Sequence, residues 1–140
     1  MKQNKGFTLI EVMVVVAILG ILVSMSISYY RSYVATSQVS AALTELQGIK
    51  LKYEQNMNDG EQDSSFDVTN PKFAINSNIC DFVVYQPVLG ISEPAVACQL
   101  KNVSTLILGE SIILSRELSG EWKCSTSTDF NINYKPQICQ

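Results

Sequence analysis

From Phe7 to Ile27 the chain reads as one apolar run, FTLIEVMVVVAILGILVSMSI, in which Glu11 is the only charge. As a helix, such a stretch rises about 30 Å, the thickness of a bilayer's hydrocarbon core. Beyond it the pattern changes rather than stops. Val39, Leu43, Leu46, Ile49, Tyr53 and Met57 recur at three- and four-residue steps, with Ser40, Thr44, Glu45, Gln47, Lys50 and Lys52 between them. That spacing marks a helix with one face to bury. No proline separates the two halves. The pattern therefore predicts a single helix from Phe7 to about Asn56, apolar all round over residues 7–30 and amphipathic over 31–57. Asn58-Asp59-Gly60 ends it, with Gly60 placed as a terminator.

Residues 58–80 read as a connecting loop, polar and acidic up to Asn70-Pro71. Asp59, Glu61 and Asp63 alternate as at the start of a calcium loop. That motif needs Gly where Ser64 stands and a Glu at its twelfth position, so a solvated acidic loop is the reading. Strand patterns occupy residues 81–140. DFVVYQP (81–87), AVACQLKNV (95–103), ESIILSREL (110–118) and EWKCS (121–125) are rich in β-formers, and Ser119-Gly120 marks a hairpin turn. TLILG (105–109) stays open between a strand extension and a buried loop. Short connections imply an antiparallel sheet, and the apolar stripe of residues 39–57 is available to cover one of its faces. The expected class is α+β, a long N-terminal helix packed on a roughly four-stranded antiparallel sheet.

Charge and cysteine usage narrow the chemistry. The net charge is −3, which argues against a nucleic-acid surface; Lys72, Lys101, Arg116, Lys123 and Lys135 are too few and scattered to make a basic face. There is no histidine. That excludes Ser-His-Asp, Cys-His and H-E-x-x-H arrangements, and no Gly-rich phosphate loop is present. The chain reads as a non-enzyme with no cofactor and no metal. Cys80, Cys98, Cys124 and Cys139 form no C-x-x-C pair. Their even number in an exported domain points to two disulfides in an oxidising compartment, with three connectivities open. Trp122 reads as core or loop support. Lys2 and Lys5 precede the apolar run, which orients the N-terminus to the cytoplasm and the remainder outside. A cleaved signal peptide has a shorter apolar stretch before a small-x-small cleavage site; here the run is longer, carries Glu11 and continues into the helix pattern without a break.

Residues 6–11, GFTLIE, following a short basic leader and opening an apolar helix, resemble the class III leader of type IV pilins. The resemblance runs on to Tyr30 and Tyr33. It resumes at SIILSRELSGEWKCSTSTDFNINYKPQIC, which is similar to the last hairpin and disulfide-bounded loop of type IVa pilins, including its W-x-C and K-P-x-x-C elements. The resemblance implies a leader of residues 1–6 cut after Gly6 by a prepilin peptidase, with N-methylation of Phe7. Loss of Lys2 and Lys5 would leave 8 basic and 13 acidic side chains. It also implies that Glu11 attracts the N-terminal amine of a neighbouring copy during assembly, each charge offsetting the other's desolvation. The cysteines pair accordingly, Cys124 with Cys139 and Cys80 with Cys98. The first bridge contributes roughly 3 kcal/mol in a chain-entropy estimate.

Expected partners are other copies in a homopolymer, the prepilin peptidase, the pilus assembly machinery and the bacterial inner membrane, crossed once before export to an extracellular pilus. The loop carrying Ser125, Thr126, Ser127, Thr128, Asp129, Phe130, Lys135 and Pro136 is the expected contact for a host-surface glycan or other receptor. The role implied is a major pilus subunit serving adhesion and twitching motility. A minor pilin for ligand binding or DNA uptake and a pseudopilin of a type II secretion system are the alternatives; two disulfides and the W-x-C hairpin favour a pilin. Many family members carry proline where Ser28 stands, so the usual helix kink is not expected on that ground.

Overall fold

The computed structural model describes residues 6–60, 65–70, 73 and 76–139. One helix, α1 (Leu9–Asn58), precedes four strands: β1 (Cys80–Val84), β2 (Ser92–Leu100), β3 (Ser111–Arg116) and β4 (Trp122–Thr126). The helix runs unbroken through Gly20 and Ser28. It ends as the sequence predicts: the Asp59 N–H donates to the Gln55 carbonyl at 2.9 Å, and Gly60 takes a positive φ of 66°, the left-handed conformation that glycine adopts without a Cβ penalty. The chain divides into two compact units, one up to Tyr33 and one from Val34 onward.

In the second unit the strands pair antiparallel in the order β1-β2-β3-β4. The registers set Val96 opposite Leu114 and Cys98 opposite Ile112 on the buried face, with Ala97 opposite Ile113 on the other. Period-two alternation thus delivers Val96, Cys98, Leu100, Ile112 and Leu114 to one side. Against them α1 presents Ala35, Val39, Ala42, Leu46, Ile49, Tyr53 and Asn56, all buried and spaced by alternating steps of four and three. Leu43 and Met57, which the periodicity also placed on this face, are half-buried at its margin. Ala35, which opens the stripe, and Ala42 within it are both fully buried.

The connection between α1 and β1 is more than solvated loop. Phe66 and Phe73 are buried and pack at a tilt against Tyr53, with ring centres 4.6 Å and 6.3 Å away. Glu61, Asp63, Ser64, Pro71 and Lys72 lie outside the described residues. Residues 105–109 form a turn, neither a strand extension nor a buried loop: Ile107 alone is buried, while Leu106 and Leu108 are exposed. A hydrogen bond from the Ser104 N–H to Gln38 Oε1, at 2.8 Å, ties this turn to the helix.

Both disulfides are present, Cys80–Cys98 joining β1 to β2 and Cys124–Cys139 joining β4 to the C-terminal segment. The stripe on α1 dictates a stability effect. Leu46→Ala leaves a void in a fully buried site and lowers unfolding free energy by about 2–5 kcal/mol, read by urea unfolding followed through Trp122 fluorescence; a loss below about 1 kcal/mol would contradict the packing.

Candidate functional site

The N-terminal signature lies just before and inside the first turn of α1. Gly6 and Phe7 are exposed and non-helical. Thr8 is the cap: its carbonyl accepts from the Val12 N–H, and its Oγ1 accepts from the Glu11 N–H at 3.3 Å. In return Glu11 Oε2 accepts from the Thr8 N–H and the Thr8 hydroxyl, each at 2.9 Å. This reciprocal arrangement is a capping box, in which a Thr and the Glu three residues later satisfy donors that open a helix. The carboxylate also sits at the positive end of the helix macrodipole. Glu11 therefore has a partner within its own chain, which the sequence reading did not name although Thr8-x-x-Glu11 announces it.

Beyond the cap, every large apolar residue from Leu9 to Ile27 is between 47% and 76% exposed. The helix is long and apolar enough to cross a membrane by length and composition. Its few polar groups are internally satisfied: Ser24 donates to the Ile21 carbonyl at 2.7 Å and Ser26 to the Leu22 carbonyl at 2.9 Å. No hydroxyl in these turns asks for water, which suits an apolar medium.

The C-terminal signature is rearranged relative to expectation. Ser125 and Thr126 belong to β4, paired with Ile113 and Ile112, and not to the loop. Ser127 anchors the loop's start: it exchanges backbone and side-chain hydrogen bonds with Ser111 at 2.9 and 3.1 Å and donates its hydroxyl to Glu110. Phe130 is turned into the core, because a ring this size gains more from burial than from solvent. Lys135 and Pro136 are half-buried, while Thr128 and Asp129 are exposed. The loop's most open apolar groups are Ile132 and Ile138, which the sequence reading did not single out.

Where the helix meets the sheet, two adjacent α1 residues carry a polar node. Tyr53 donates its phenol to the Tyr85 carbonyl at 2.9 Å, so the Ser92 hydroxyl, 2.6 Å away, is the donor to the phenol oxygen. Glu54 Oε1 accepts from Arg116 Nε at 2.8 Å and from Trp122 Nε1 at 2.6 Å. The Trp122 ring stands edge-on to Tyr53 with Lys50 Nζ 5.4 Å from its centre. Burial alone would push the Glu54 carboxyl up. The hydrogen bonds from Arg116 and Trp122, with the charges of Arg116 and Lys50, hold it below its ordinary value. Trp122 is thus core support, as read from the sequence; Glu54 was not foreseen, since a glutamate on a helix looks solvated until its partners are placed.

Comparison with known proteins agrees with both signatures. Residues 1–27 match the prokaryotic N-terminal methylation motif and residues 35–140 match the pilin (bacterial filament) family. A fimbrial protein of Pseudomonas aeruginosa is 34% identical over 152 aligned positions, covering 99% of this chain and 98% of that protein. A probable minor fimbrial protein of Dichelobacter nodosus is 33% identical, covering 91% and 90%. The type IV major fimbrial protein FimA of the same organism is 28% identical, covering 98% and 96%. Among solved structures, a Cs1 pilin chimera aligns with a TM-score of 0.53 at 18% identity over 78% of this chain and 98% of that one, which speaks for the fold.

The Glu54 node has a pH signature. Its folded carboxyl titrates lower than an unfolded one, so its contribution is complete above about pH 5 and is lost as the pH falls through its folded value. Glu54→Gln costs about 1–3 kcal/mol at pH 7, and the gap to the wild-type chain closes in acid. A gap that stays constant from pH 7 to pH 3 contradicts the node.

Proposed function

The chain belongs to the type IV pilin family, and we propose that it is the major subunit of a type IV pilus, held in the bacterial inner membrane before polymerising into a surface filament for adhesion and twitching motility. The observation that carries this is the helix from Leu9 to Ile27, apolar on every side yet unburied in the single chain. A surface of that size demands a second medium. Lipid supplies it for the precursor and the same segment of other copies supplies it in the filament.

Processing follows from the exposed Gly6–Phe7 peptide and the methylation-motif match. A prepilin peptidase cuts after Gly6 on the cytoplasmic side, and Phe7 becomes the N-methylated end, as the Thr8 cap keeps both residues outside the helix where an enzyme can reach them. The amine of Phe7 then carries a positive charge into an apolar environment. Glu11 of a neighbouring copy offers the compensating carboxylate: the capping box engages Oε2 alone, and a carboxylate has lone pairs on both oxygens.

The exposed rim of the stapled C-terminal loop, with Thr128, Asp129, Ile132 and Ile138, is the contact offered to a receptor. The similarity to a minor fimbrial protein favours a second reading, a low-abundance pilin in a filament built from another subunit.

Two measurements decide. In filaments sheared from the surface, a dominant band whose mass begins at methyl-Phe7 is expected; a trace band marks a minor pilin. The Glu11 series then separates pairing from capping. Glu11→Gln keeps hydrogen-bond acceptance but removes the charge, and should cut filament yield at least about tenfold, as loss of a buried partner costs several kcal/mol. Thr8→Ala removes the cap, costs about 1 kcal/mol in the helix, and should leave filaments in quantity. Equal loss in both variants would assign the glutamate to capping alone.

A further inference from the structure

The β1–β2 connection is a tight turn in which Val88 and Ile91 exchange backbone hydrogen bonds of 2.8 and 3.0 Å. Both central residues have positive φ, Leu89 at 53° and Gly90 at 84°, a two-residue hairpin turn whose first position ordinarily takes Asn, Asp or Gly. A leucine gains nothing there from turn chemistry, and its side chain is 90% exposed. Unfavourable backbone geometry is therefore accepted to hold an apolar side chain in solvent, an outlier of the kind that points to function.

The tip is held rigidly. Arg116 Nη1 donates to the Gly90 carbonyl at 3.0 Å while its Nε is fixed by Glu54. Leu118 Cδ1 lies 3.3 Å from where a Cβ on Gly90 would stand, so the leucine packs directly on the turn. Val88 and Leu118 are themselves exposed, and a groove of about 450 Å³ lined by Tyr85, Ile91 and Pro94 runs beside Leu89. The surroundings are acidic. Arg116 is already paired with Glu54; Glu117 pairs with Lys123, and Glu121 and Glu93 also lie close enough to act on that ammonium, so beyond the Arg116–Glu54 pair three carboxylates surround one lysine.

Such a tip fits a segment that offers aromatic rings and a positive charge. The chain contains one, Tyr29-Tyr30-Arg31-Ser32-Tyr33 on α1, where all three tyrosines are exposed and Arg31 is the only charge between Glu11 and Glu45. Tyrosine and arginine are the residue types enriched at the centres of protein interfaces. We propose that the Leu89 hairpin tip is a docking surface for a second copy of this chain, seating Val88, Leu89 and Leu118 on that copy's Tyr29–Tyr33 segment with Arg31 among Glu93, Glu117 and Glu121.

This rests on the reading that the chain polymerises, and the test separates the two. All four cysteines are disulfide-bonded, so Leu89→Cys introduces a single free thiol. In intact sheared filaments a membrane-impermeant maleimide should label it at least tenfold more slowly than in detergent-dissociated subunits. Equal rates would leave the tip free for a foreign surface and overturn the docking while polymerisation stands. A charge swap gives an independent readout: Arg31→Glu should lower filament yield about tenfold, and adding Glu93→Arg with Glu121→Arg should restore it. A failure to restore counts against docking. If the wild-type chain itself is missing from the filaments, the polymerisation reading falls instead.

Discussion

One stripe of one helix has to cover the apolar face of four strands. The stripe meets that demand by alternating steps of four and three from Ala35 to Asn56, which keeps its residues on a single line facing the sheet. Small side chains at Ala35 and Ala42 and large ones at Leu46, Ile49 and Tyr53 grade the space along that line. The stripe alone leaves gaps at its C-terminal end, where Phe66 and Phe73 enter from the following segment. Polar ties then set orientation: Gln38 holds the 104–107 turn, Tyr53 the start of β2, and Glu54 the β3–β4 pair. Buried packing tolerates small slips, but hydrogen bonds of fixed length do not, so these contacts keep the strands in register against the helix.

The same helix answers to different solvents along its length. Toward its N-terminus it carries no stripe, because an environment apolar on every side rewards apolar residues on every side. There the backbone bonds itself, and Ser24 and Ser26 turn their hydroxyls back to carbonyls. Glu11 is the apparent exception. Its capping bonds to Thr8 satisfy helix-opening donors, which lowers the cost of keeping a carboxylate in an apolar medium without removing it. A cap needs only a hydrogen-bond acceptor, and the macrodipole adds about 0.3–1 kcal/mol for the charge; a cation would offset more of its desolvation, and among the described residues α1 offers none before Arg31. Capping and pairing are thus compatible roles for one side chain.

Much of this was legible in the sequence because it follows from periodicity. The helix, its stop at Gly60, the four strands, the hairpin at Gly120 and the exposed apolar segment all come from repeat spacing or turn chemistry. Contacts across long sequence separations left weaker traces. Glu54 meets Arg116 and Trp122 more than 60 residues away, and nothing local distinguishes it from Glu45. Ala35 and Ala42 were missed because alanine is a faint hydrophobic signal. Phe66 and Phe73 were passed over inside a polar, acidic stretch. Ser125 and Thr126 entered the expected receptor loop through the resemblance, although Ser125 also closed the expected EWKCS strand; register with Ile113 and Ile112 places both in β4. Phe130 shows the converse, an aromatic within a loop motif that tertiary space reclaimed for the core. The Thr8–Glu11 box and the two-residue turn at Leu89-Gly90 were local and still overlooked.

The C-terminal loop shows how a fold can reserve a surface for other work. Its stability is carried by a few points: the Ser127 bonds to Ser111 and Glu110, the Phe130 ring in the core, and the Cys124–Cys139 bridge. Turns at Phe130, Tyr134 and Cys139 close through backbone hydrogen bonds that do not depend on side-chain identity. Exposed residues between these points, Thr128, Asp129 and Ile132 among them, are therefore free of structural duty. Substitution at such positions changes the surface without reaching the core, since exposed side chains away from caps and buried partners shift stability by about 0.5 kcal/mol or less. The hairpin tip at Leu89 is the opposite case: its backbone geometry is demanding, Gly90 holds a φ of 84° that a side chain would strain, and Arg116 links the turn to Glu54. A backbone shift there would reach the helix–sheet node through Arg116, which bonds both the Gly90 carbonyl and Glu54.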